Sequence, residues 1–217
     1  MVDFPTHPRL EFGETVNCID GEFGELEDVL VEPTSLRVMH LVVQPVNGPG
    51  QARLVPIELA APIGASGVVE LRCTVDQARK LRPVHEVADL GGEGPPTDSE
   101  QWDVGIRDAL PMPSYGAGTT VEDADIMLMY DLVPKGEVEL RGASVARTAD
   151  DDDAGRVKGF LVEGVQITHV LLRRGHLWRR YELAVPASNI ARVTTDSLDL
   201  ELSSDQLKSV PSQPVRR

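Results

Sequence analysis

At 217 residues the chain is long enough for one medium domain or two small ones, and its 21 basic against 35 acidic residues leave a net charge of −14. That charge opposes non-specific attraction to phosphate backbones and anionic lipid. The longest uncharged span of "ELAAPIGASGVVE", Leu59 to Val69, contains Pro62 and two glycines, well short of the roughly 20 apolar residues of a spanning helix.

The start, "MVDFPTHPRLEFG", has no basic region followed by an apolar stretch, so no signal peptide and a cytoplasmic location are expected. Residues 10–83 read as a first small domain. Its turn "IDGEFGEL" precedes short Val- and Leu-rich strands, and Thr before Asp in "TVDQARKL" predicts a capped short helix. Cys18 and Cys73 lack C-x-x-C spacing and read as buried reduced thiols. Residues 84–137 carry a net charge of −10 and read as an acidic Pro/Gly-rich linker. Ten of the thirty positions 91–120 are Gly or Pro, which predicts no regular element there. Its apolar cluster, Ile126 to Tyr130 with Leu132 and Val133, is expected to dock on a folded domain. Residues 138–212 read as a second small domain, with a turn at "ADDDDAGRV", a hairpin about Gly175 in "ITHVLLRRGHLWRRYELAVP", and a capped helix at "SSDQLKSV".

The two small domains repeat one another. "GELEDVLVEP" (24–33) is echoed by "GRVKGFLVEG" (155–164), and "RVMHLVV" (37–43) by "QITHVLL" (166–172), with His40 opposite His169. Pro56 matches Pro186, and Asp76-Gln77 matches Asp205-Gln206. Four anchors in one order, displaced by 129 to 131 positions, indicate a duplicated unit.

The order of "GRVKGFLVE", "ITHVLLRRGHLW", "AVPASNIARV" and "LSSDQLKSVP" resembles the PRC-barrel superfamily, named for the cytoplasmic domain of the photosynthetic reaction-centre H subunit. The first copy has "QPVNGPGQAR" where the second has its G-H-L-W segment. The resemblance implies a mainly β fold: two small antiparallel PRC-type β-barrels in tandem, each closed by a short C-terminal helix. It also implies an assembly or docking module rather than an enzyme. A duplicated module of this kind is expected to pack barrel on barrel as a pseudo-dimer.

The residues that stand out chemically are those of the second hairpin. Arg173, Arg174, His176, Trp178, Arg179 and Arg180 are the candidate partner-docking surface, with a protein as the expected partner and RNA or the ribosome as the alternative. The carboxylates of "DSEQWD" and "VEDAD" are candidates to fold back onto these arginines. No catalytic, cofactor-binding or metal-ligating residue is assigned, and no cofactor or membrane contact is expected. "DDDD" (150–153) fails as an EF-hand loop, since its twelfth position is Leu161 where a bidentate Glu is required. No G-x-S-x-G, G-x-G-x-x-G or G-K-[ST] segment is present.

Overall fold

A computed structural model describes residues 5, 7–46, 51–64, 67–89, 101–111, 126–142, 144–175, 180–195 and 197–214. The protein is mainly β. Its strands are β1 (Arg9–Glu11), β2 (Thr15–Cys18), β3 (Gly21–Glu32), β4 (Arg37–Pro45), β5 (Arg53–Pro56) and β6 (Val69–Glu70), followed by the helix α1 (Val75–Arg79). Next come β7 (His85–Asp89), β8 (Trp102–Pro111) and β9 (Ile126–Pro134). The second half holds β10 (Val138–Arg141), β11 (Val145–Arg147), β12 (Asp153–Glu163), β13 (Gln166–Arg174), β14 (Tyr181–Pro186), β15 (Ile190–Val193), β16 (Ser197–Leu200), the helix α2 (Ser204–Leu207) and β17 (Ser212–Pro214). Among the described residues, no helix is long and apolar enough to cross a membrane.

The chain divides into two compact units, one of Met1–Arg82 with Glu137–Arg217 and one of Pro83–Gly136. Fourteen strands of the first unit form one curled sheet, and its two halves match down to their irregularities. The β3–β4 register slips between Leu26 and Asp28 and between Leu30 and Val31; the β12–β13 register slips at the equivalent places, Val157/Gly159 and Leu161/Val162. The bulges have a packing consequence. Val157 and Phe160 are three residues apart, yet both lie in the core, as do Leu26 and Val29. Pro56 and Pro186 hold the same backbone angles (φ −56°, ψ 136° and 139°), and each starts a single 3-10 turn.

Both helices are capped as their sequences predict, and in each the cap is a capping box. Thr74 Oγ1 accepts from Gln77 N at 3.2 Å while Gln77 Oε1 accepts from Thr74 N at 2.9 Å, and Ser203 and Gln206 do the same at 3.3 and 2.9 Å. Each helix start is tied to a hairpin turn: Val75 N donates to Asp20 Oδ1 at 2.8 Å, and Ser204 N to Asp150 Oδ1 at 3.0 Å. In the rest of the acidic run, Asp151 pairs with Arg147 and Asp152 accepts from the Ser204 hydroxyl, so these side chains build a turn. In the first half the same turn brings Cys18 beside Cys73, with Ile19 N donating to Cys73 O at 3.1 Å. Both thiols are free and buried; burial first, and Cys73 second, push the Cys18 thiol up to about 12.

The halves exchange their first strands. β1 pairs with β12 of the second half (Leu10 opposite Phe160), and β10 pairs with β3 of the first (Leu140 opposite Val29). Where the halves meet, Val38 N donates to Val165 O at 2.9 Å and Ile167 N to Leu36 O at 3.1 Å, a reciprocal pair between equivalent positions. One hydrophobic cluster draws on both halves, including Leu10, Val29, Leu140 and Phe160, none more than 1% exposed.

The exchanged strands carry opposite charge patterns. Arg9, Glu11 and Lys158 stand where the other site has Glu139, Arg141 and Glu27. Arg9 contacts Glu11 at 2.6 Å and also Glu182; Lys158 contacts Glu11 and lies 3.7 Å from Glu182. Just before each exchanged strand, one residue touches the strand histidine of the opposite half. His7 stacks on His169, ring centroids 6.0 Å apart, whereas Glu137 lies 2.8 Å from His40.

Burial first, and the charge of His7 second, hold His169 below its ordinary value of 6.5. Below pH 6.5 the unfolded chain then binds more protons than the folded one, so this stability is present above that pH and is lost as pH falls through the folded value. The melting temperature of the wild type is expected to fall more steeply than that of His169→Gln between about pH 7 and 5.5. Parallel profiles would contradict this.

The second unit corrects one expectation. Residues 102–111 form the ten-residue strand β8 where the Gly/Pro count predicted no regular element. The physical reason is local: "WDVGIRDALP" holds one glycine, and its only proline is at the end, so a thirty-residue window averaged breakers over a run that lacks them. The apolar cluster at 126–133 lies in β9, the central strand, antiparallel to both β7 and β8. Residues 98–100 and 121–125, most of the proposed acidic contacts, lie outside the described residues.

Candidate functional site: an arginine cleft at the second hairpin

The second hairpin forms as the sequence predicts, with β13 antiparallel to β14 and Arg174 opposite Tyr181. A cleft of about 730 Å³ opens at its far end. Asp153, Gly155 and Arg156 line it from β12, Arg173, Arg174 and Gly175 from the end of β13, and Arg180 and Tyr181 from the start of β14. Its volume lies within the roughly 300–1,000 Å³ of ordinary ligand sites.

Gly155 makes this geometry. Its φ is +121°, and a Cβ there would stand 2.7 Å from the carbonyl oxygen of Arg173. A side chain is therefore excluded by both backbone angle and space. This close approach brings Arg156 directly opposite Arg173 across the strand pair. Gly155→Ala is expected to cost more than about 1 kcal/mol, read by thermal melting, because its native angle suits glycine alone.

Charge in the cleft is unbalanced. The side chains of Arg173, Arg174 and Arg180 make no hydrogen bond or ion pair with any described residue. Two acids beside these arginines make other contacts. Asp153 accepts from Gly155 N at 2.7 Å. Glu182, cross-strand from Arg173, is 3% exposed and holds Arg9 and Gln213. Lys208, near Arg174, is paired with Asp205 at 2.7 Å, which raises the lysine's pKa. Three arginines without a side-chain partner thus line one cleft in a chain of net charge −14, an arrangement that attracts an anionic group.

Of the predicted docking residues, the structure brings Arg173, Arg174 and Arg180 to one cleft; His176, Trp178 and Arg179 lie outside the described residues. Sequence reasoning missed Arg156, Gly155 and Asp153, which reach the cleft from a neighbouring strand. A signal was available in the repeat. Arg156, Arg173 and Arg174 occupy the positions of Glu25, Gln44 and Pro45, so the first copy has no such basic cluster.

No family model and no curated protein matches the chain. Among the described residues, no group of three or more His, Cys, Asp or Glu side chains is placed to hold a metal ion.

Proposed function

We propose that the chain is a non-enzymatic protein-interaction and assembly module, built from two PRC-type barrel units packed as a pseudo-dimer, whose partner docks at the arginine cleft. The supporting observation is the asymmetry between the copies: equivalent backbones carry a basic cleft in the second and Glu25, Gln44 and Pro45 in the first. After duplication one copy keeps the scaffold while the other acquires a surface of its own. An acidic partner is steered to such a patch, and its capture weakens with salt.

RNA is the second reading, because Tyr181 lies 37% exposed beside the arginines and offers a base a stacking surface. Affinity capture from native cell extract at low and high salt, with and without ribonuclease, separates the two. A protein retained after ribonuclease and lost on combining Arg173→Gln with Arg180→Gln supports docking. Retention that ribonuclease abolishes supports RNA, and retention indifferent to the arginines contradicts both.

A further inference from the structure

We infer that the cleft takes a phosphorylated segment of a partner protein, with the phosphoryl group seated among Arg173, Arg174 and Arg180; this rests on the docking reading above. The side chains of Arg173, Arg174 and Arg180 make no ion pair with a described residue; Glu182 is held by Arg9, and Asp153, which accepts from the Gly155 amide, is one carboxylate among four arginines in the cleft lining. Arg156 stands directly opposite Arg173 across the strand pair and adds a fourth arginine to the cleft lining. One phosphoryl group brings nearly two negative charges and three acceptor oxygens to a single point, whereas a carboxylate brings one charge and two oxygens. Guanidinium forks match that geometry. At about 730 Å³ the cleft is far larger than a free phosphate needs and accommodates flanking residues as well, with Tyr181 at its rim to pack against them.

The test uses the full chain and three degenerate peptide libraries that differ only at the central residue: phosphoserine, serine or glutamate. Binding is read by retention and by anisotropy of the labelled pools. The phosphoserine library is expected to bind at least about tenfold more tightly than the other two and to be competed by inorganic phosphate. Arg173→Gln and Arg180→Gln, each checked for an unchanged melting temperature, should each lose most of that preference. Arg192→Gln, at an exposed arginine outside the cleft, should keep it. Equal binding of the phosphoserine and glutamate libraries overturns the phosphoryl assignment while leaving acidic docking intact. Binding of none of the libraries overturns it too; arginine-dependent capture from extract then shows whether docking itself survives. Preference for a single-stranded RNA oligomer over every library overturns both.

Discussion

Replacing Lys158 by methionine is expected to destabilise the first unit by about 3 kcal/mol, read as a lower urea midpoint. The methionine keeps most of the apolar stem and removes the charge. Glu11 and Glu182, with side chains 8% and 3% exposed, would then share Arg9 as their remaining cation within this network. Breaking a buried ion cluster by removing one partner costs roughly 3–5 kcal/mol because the other charge stays desolvated. The lower end applies, since the Lys158 side chain is itself 25% exposed. Lys158→Glu should cost more, and adding Glu11→Lys should recover much of the loss, giving a strongly non-additive cycle. Additive effects would show that the two side chains do not act together.

Phe160→Ala is expected to cost about 3–5 kcal/mol. Phe160 is fully buried, stands opposite Leu10 of the exchanged strand, and meets Phe12 edge to face with ring centroids 5.7 Å apart. Its removal therefore opens a cavity and loosens the attachment of β1. Hydrogen exchange at Leu10 and Glu11 should accelerate more than exchange in the paired strands of the first half. Uniform acceleration would mean that Phe160 supports the core without holding the strand.

The charge pattern of the exchanged strands explains their choice of partner. Were β1 to return to its own half, Glu11 would approach Glu27 in place of Lys158; were β10 to do so, Arg141 would approach Lys158. Each return brings like charges together, so the inverted signs favour exchange in both directions.

Much of this was legible in the sequence because it is written in local chemistry. The Thr/Ser-Asp caps and the Asp/Gly turns act over three to five residues, and each formed as read. The exchange was not legible. β1 is the three residues "RLE", and nothing within so short a run says which half supplies its partner. β8 was hidden by averaging over its Gly- and Pro-rich neighbours. At the site, Arg173, Arg174 and Arg180 were visible as a cluster along the chain, whereas Arg156 reaches them only through the β12–β13 register. Comparing the sign of each charge between the two copies would have found it.

The exchange stands or falls on whether the halves fold alone. Residues 1–111 and 126–217, produced as separate chains, should each lack a cooperative thermal transition, because each would lose a strand, its charge partners and part of the shared core. Mixed, they should form a one-to-one complex with a single cooperative melt. Cooperative melting of either fragment on its own, unchanged by adding the other, would contradict the interlocked fold.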